Sequence, residues 1–151
     1  MDIMNEPIKN YYTMRKDKNL LQAGLLLLRV GIGVSIFFHG LPKITGGPET
    51  WTAIGGTMSN LGINFAPTFW GFMAAFAETI GGILFALGLF FRPAALLLIG
   101  TMTVALVMHF SQGDDFMKYG HALDLLIVFA AALLTGPGKY SFDAKYIPRI
   151  A

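Results

Sequence analysis

Charged positions divide this chain into four long apolar runs. The first, Leu20 to Leu41, holds 22 residues with one formal charge, Arg29, which suits a bilayer core that takes roughly 20 helical residues to cross. Pro42 is expected to end it. A second run, Pro67 to Phe91, carries one charge, Glu78, and meets Arg92-Pro93, where proline can open a helix but cannot continue one. The pattern there predicts a tight helical hairpin. The third run, Pro93 to Gln112, has no formal charge, and Gly113-Asp114-Asp115 breaks it. The fourth, Gly120 to Thr135, is short for a span, carries His121 and Asp124 near its start, and stops at Gly136-Pro137-Gly138. The fold class read from this pattern is all-α, a polytopic membrane four-helix bundle with spans near 20–41, 67–91, 93–112 and 120–135.

The remaining segments are a leader (residues 1–19), a loop (42–66) and a tail (137–151). The leader lacks the ordered basic start, apolar core and small-residue cleavage site of a secretory signal, so it is read as retained and partly helical. In the loop, Trp51, Ile54, Met58, Leu61 and Ile63 recur at near-helical spacing, which predicts a short helix lying on the outer leaflet. Trp51 and Trp70 sit where an aromatic belt would place them.

Composition agrees with a membrane class: of 151 residues 54% are hydrophobic and 13% charged, far less polar surface than a soluble domain of this size needs. Without cysteine there is no disulfide, thiol nucleophile or thiolate metal site, so any redox role must borrow its cofactor. The net charge of +2 points to topology, not to nucleic acid, because the basic residues fall into short flanks. With the N-terminus inside, the cytoplasmic side holds Lys9, Arg15, Lys16, Lys18, Arg92, Lys139, Lys145 and Arg149, against Lys43 and Lys118 outside. Eight against two orients both termini toward the cytoplasm and places the protein in the cytoplasmic (inner) membrane.

Ionisable side chains within spans are costly and usually face a bundle interior or a cavity. Counted from the ends of their runs, Arg29 and Glu78 both fall near the midplane. Gln22, Arg29, Gly33, Ile36 and Gly40 share one face of the first span, as Gly71, Ala75, Glu78 and Gly82 share one face of the second. Small residues beside each charge would let these helices approach closely. An Arg29–Glu78 ion pair registering two helices is the structural reading. In the functional one, Glu78 relays a proton and Arg29 holds a carbonyl or carboxylate.

A second set lies toward the outer leaflet: His39, His109, and the pair His121-x-x-Asp124, whose i, i+3 spacing aims both side chains the same way. Singly, such histidines are solvated interfacial residues. Together they fit two chemistries. His39, His109, His121 and Asp124 could bind Zn, Cu or Fe, but the paired ExxH motifs of di-iron bundles are missing, and no metal centre is expected. The same donors could hold the carbonyls of a quinone and exchange its protons, with Phe37, Phe38, Phe69, Phe72 and Phe76 as an apolar slot. No nucleotide-binding glycine loop and no Ser-His-Asp triad can be read.

Several strings carry a resemblance: Leu28-Arg29-Val30-Gly31-Ile32-Gly33, Phe38-His39-Gly40-Leu41-Pro42-Lys43, Glu78-Thr79-Ile80-Gly81-Gly82, Leu87-Gly88-Leu89-Phe90 with Arg92-Pro93, and Gly136-Pro137-Gly138-Lys139-Tyr140-Ser141-Phe142-Asp143. Their succession resembles the DoxX family of small four-helix membrane proteins over nearly all of residues 20–143. The resemblance implies a membrane bundle related to subunits of archaeal quinol oxidase or thiosulfate:quinone oxidoreductase assemblies, with bacterial relatives in redox homeostasis. The family's span-one arginine, His-Gly-x-x-Lys turn and span-two glutamate carry over to Arg29, His39, Gly40, Lys43 and Glu78. In span four many members have a glutamate, where this chain shows His121 and Asp124.

The expected function is that of a quinone-interacting subunit or small oxidoreductase. Glu78, His121 and Asp124 would be its catalytic groups, and Arg29, His39, His109 and Lys43 its ligand-binding groups. The bilayer, a redox partner protein and further copies of the chain are its expected partners, with no nucleic acid. The alternatives are a transporter or channel for protons or a small solute, and a structural subunit whose buried charges register helices.

Overall fold

The computed structural model describes residues 6–147. Among them the secondary structure is helical throughout: α1 (Glu6–Thr45), α2 (Gly47–Gly55), a 3-10 turn (Gly56–Leu61), α3 (Pro67–Leu87), α4 (Phe91–Ser111), α5 (Phe116–Thr135) and α6 (Phe142–Tyr146). Four of these are long and apolar enough to cross a membrane: Asp17–Thr45 of α1, and α3, α4 and α5. The protein is a multi-pass α-helical membrane bundle.

Helix boundaries follow local chemistry. α1 does not stop at Pro42 but runs to Thr45. In its last turn the Thr45 hydroxyl donates to Leu41 O at 2.9 Å, and the terminal carbonyl of Lys43 is taken by the Trp51 indole, which donates to it at 2.9 Å. α3 ends at Leu87, earlier than its apolar run, because Gly88 takes the left-handed conformation that closes a helix (φ 65°). Pro93 then falls in the first turn of α4, where its missing N–H has no partner to lose. α5 begins at Phe116 and reaches 20 residues, so the fourth span is not short.

Lipid tails are as apolar as leucine, so these helices associate through close packing and buried polar contacts. α1 meets α3 along a small-residue seam. A Cβ on Gly33 would come within 2.7 Å of Ala86 and of Gly82 O, and one on Gly40 within 2.6 Å of the Thr79 backbone. Phe85, Phe91 and Phe129 knit α3, α4 and α5 into the core, with Phe85 stacked on Phe91 at 4.6 Å and edge-on to Phe129 at 5.1 Å.

α2 packs on the bundle. It folds against the N-terminal half of α3, where Gly55 faces Pro67 O and Gly71 faces Trp51 O so tightly that no side chain fits between the backbones. The spacing of Trp51, Ile54 and Met58 therefore marks a face turned into the bundle: Trp51 packs edge-on to Phe72 at 5.1 Å, and Ile54 and Met58 line a cavity. At the opposite end, the chain after α5 returns to α1, with Lys139 N donating to Gln22 Oε1 at 2.7 Å. Both ends of the described chain thus lie at one face, the terminal face, and α2, the 3-10 turn and the α4–α5 loop lie at the other, the loop face.

Candidate functional site

Arg29 and Glu78 do not meet. The guanidinium donates to Pro137 O at 3.1 Å and Tyr140 O at 2.9 Å, and its counter-charge is Asp143. The midplane count fails because α1 is apolar well below the level where α3 ends. Arg29 is level with Gly88, at the α3–α4 turn, and Gln22 and Leu25 pack against Gly138 of the tail. Around Arg29 the tail forms a clasp. Asp143 is fully buried and accepts from Phe90 N at 2.9 Å and Phe91 N at 2.8 Å, while its own N–H donates to Gly88 O at 2.9 Å. It thus caps α4 from a distant point in sequence and holds Phe90 in a left-handed conformation (φ 45°) that a bulky residue otherwise avoids. Ser141 caps the short α6 through Ala144 N at 3.1 Å. Pro137, Tyr140, Ser141 and Asp143 build this clasp, a structural role that sequence reasoning did not assign.

Glu78 pairs instead with Lys43, whose ammonium lies 2.7 Å from each carboxylate oxygen. Glu78 is nearly buried (4% exposed) and Lys43 is about one-third exposed (36%), so the pair opens to one side. What it opens toward is a cavity of about 550 Å³ between α2 with the 3-10 turn, α3 and α4. Its walls are almost wholly apolar, with Met58, Phe69, Met73, Val104 and Met108 among them, and Lys43–Glu78 is their charged point. Thr57 and Thr101 also line it, but each hydroxyl is turned to its own helix, donating to Ile54 O and Leu97 O. A mostly apolar pocket with few convergent polar groups is the usual form of a small-molecule site. Trp70, read from sequence as a belt residue, lines it as well.

The histidines divide into two places. His109 sits at the end of α4 with Nδ1 2.7 Å from Asp114 Oδ2, and Lys118 donates to the other oxygen at 2.6 Å. These hydrogen bonds, from His109 first and Lys118 second, hold the Asp114 carboxyl below the usual carboxylate range. A group with a depressed folded value stabilises above its unfolded value, about pH 4, and that contribution disappears as pH falls through the folded one. The stability difference between the wild type and Asp114→Asn is accordingly expected to be present above about pH 4 and to shrink as pH falls below it, as read by thermal unfolding across pH.

His39 and His121 face each other across α1 and α5, ring centres 5.2 Å apart, and both are exposed, as is Asp124. None of the three lines the cavity, and neither does Arg29 or His109. Among the described residues no group of three or more His, Asp or Glu side chains is placed to hold a metal ion, so His39, His109, His121 and Asp124 do not form one cluster. Of the residues singled out in sequence, Lys43 and Glu78 are brought together at a pocket.

Comparison with known proteins places the chain. The DoxX family model matches residues 24–110, more than half of the chain and the whole interval from Lys43 to Met108 that lines the cavity. A protein of Bacillus subtilis (strain 168) described as "Putative oxidoreductase CatD" is 35% identical over 86 residues, 57% of this chain and 59% of that protein. The aligned part thus spans about three-fifths of the relative's length. No solved structure matches. With its four membrane helices, this chain belongs to the DoxX family.

Proposed function

We propose that this protein binds a quinone, or a closely similar flat carbonyl compound, in the cavity between α2, α3 and α4, and that it serves membrane redox chemistry as a quinone-interacting subunit or small oxidoreductase. The observation that carries this reading is the Lys43–Glu78 pair set into an otherwise apolar chamber of about 550 Å³. An apolar ring finds its place among Met73, Val104 and Met108, and a carbonyl oxygen accepts a hydrogen bond from the Lys43 ammonium. Glu78, beside the same ammonium, then gives or takes the proton that accompanies reduction or oxidation of that oxygen by a partner. The oxidoreductase description of the Bacillus subtilis relative supports the class of chemistry. The excess of basic residues on the terminal face supports placing that face in the cytoplasm of a cell with this protein in its inner membrane.

The reading is tested by purifying the tag-free protein in mild detergent and identifying bound small molecules by mass spectrometry. Quinone near one equivalent is expected in the wild type, and about ten-fold less in Glu78→Gln, a loss worth about 1.4 kcal/mol. A wild type carrying only phospholipid, or Glu78→Gln retaining as much quinone as the wild type, contradicts it.

A further inference from the structure

We infer that His39 and His121 form a second site, a two-imidazole clamp for a late first-row dication such as Zn²⁺ or Cu²⁺, on the seam between α1 and α5 at the loop face. The two rings come from helices far apart in sequence, yet their centres stand 5.2 Å apart with planes tilted by 40°. A metal bound about 2 Å from one nitrogen of each ring, at a tetrahedral angle, places the ring centres about 5 Å apart. The observed separation matches that spacing. Neither imidazole has a hydrogen-bond partner among the described residues, in contrast to His109, which is held by Asp114. Both are exposed. His39 lies six residues from the end of α1 and His121 five from the start of α5, about 8–9 Å along each helix, so ions from the aqueous side have a short path to them. Two imidazoles leave the remaining coordination positions open to water or to a ligand, as in exchangeable and catalytic metal sites rather than closed structural ones. α1 and α5 are the first and last spans, so an ion held between them also fastens the ring of helices shut.

The test uses the metal alone. Tag-free protein, stripped with a chelator and kept in detergent, is titrated with ZnCl₂ or CuCl₂ by calorimetry, and its thermal midpoint is followed in parallel. One equivalent bound in the micromolar range with a raised midpoint is expected for the wild type and for His109→Ala, since binding to the folded state alone stabilises it. His39→Ala and His121→Ala, both at exposed positions the fold tolerates, are each expected to weaken binding at least ten-fold and to abolish the midpoint shift. No binding by the wild type, or wild-type affinity in both single variants, overturns the inference. Loss in His109→Ala alone overturns it as well, because the ion would then sit at the α4–α5 loop.

Discussion

Asp143→Ala is expected to destabilise the bundle by about 3–5 kcal/mol, the largest effect of any single polar substitution in this protein. The carboxylate has no exposed surface and three tasks: it accepts from Phe90 N and Phe91 N, it stabilises the N-terminus of α4, and it supplies the charge opposite Arg29. Alanine leaves the Phe90 and Phe91 N–H groups, the second of them buried, without acceptors and a guanidinium, itself 3% exposed, without its counter-ion. Arg29→Met is expected to cost less, about 2 kcal/mol, because Asp143, though it loses its counter-charge, keeps both backbone donors when the bonds to Pro137 O and Tyr140 O are lost. The double variant should therefore be less destabilised than the sum of the two singles, since removing Arg29 also removes the uncompensated charge. Reversible unfolding in mixed micelles, followed by circular dichroism, measures all three. Strict additivity, or a cost below 1 kcal/mol for Asp143→Ala, would show that the clasp carries little of the fold.

Gly71→Ala is expected to cost about 2–4 kcal/mol and to abolish ligand binding as well. A methyl group at this position meets the carbonyl of Trp51, backbone against backbone, and no rotamer change can relieve it. α2 must lift from α3. With it go the hydrogen bond from the Trp51 indole to Lys43 O, which fixes the end of α1, and the wall that Ile54 and Met58 give the cavity. Gly31→Ala is the natural control: nothing lies within 4 Å of its added Cβ, and in a helix interior alanine gains about 0.5–1 kcal/mol over glycine. If both variants unfold at the same midpoint and bind alike, the close approach of α2 to α3 does not shape the site.

The spans were legible in the sequence because bilayer thickness leaves so few ways to arrange twenty apolar residues. The α1–α3 contact was legible too, since Gly33, Gly40 and Gly82 lie on the faces that carry Arg29 and Glu78, and small residues admit a neighbouring backbone. The pairing of those charges was not. Helical periodicity gives the face a residue occupies but not the height at which two helices are staggered, and counting Arg29 from the first apolar residue of its run placed it too deep. Its true partners lie 108 and 111 residues away in the tail, where a glycine- and proline-rich string read only as the end of a span. The histidines illustrate the same limit. All three lie toward one end of the bundle, but lateral position around the ring separates His109 from His39 and His121, and no one-dimensional pattern encodes it. Glu78 found Lys43 because α3 brings its middle alongside the last turns of α1. Lys43 was singled out through the family's His-Gly-x-x-Lys turn, and its partner became visible only once the helices were packed.

The central claim is that the chamber beside Lys43 and Glu78 is a ligand site, and Gly100 gives direct access to it. This residue lines the cavity from α4, and nothing lies within 4 Å of a Cβ added there, so a bulky side chain can enter the space without displacing the helices. The decisive measurement is a calorimetric titration of a short-chain quinone into the purified wild type and Gly100→Phe, with the thermal midpoint of each recorded. Saturable binding near one equivalent by the wild type, and at least ten-fold weaker binding by a Gly100→Phe protein of unchanged midpoint, is the result predicted. Equal affinity in the two proteins, or no binding by the wild type, would contradict it.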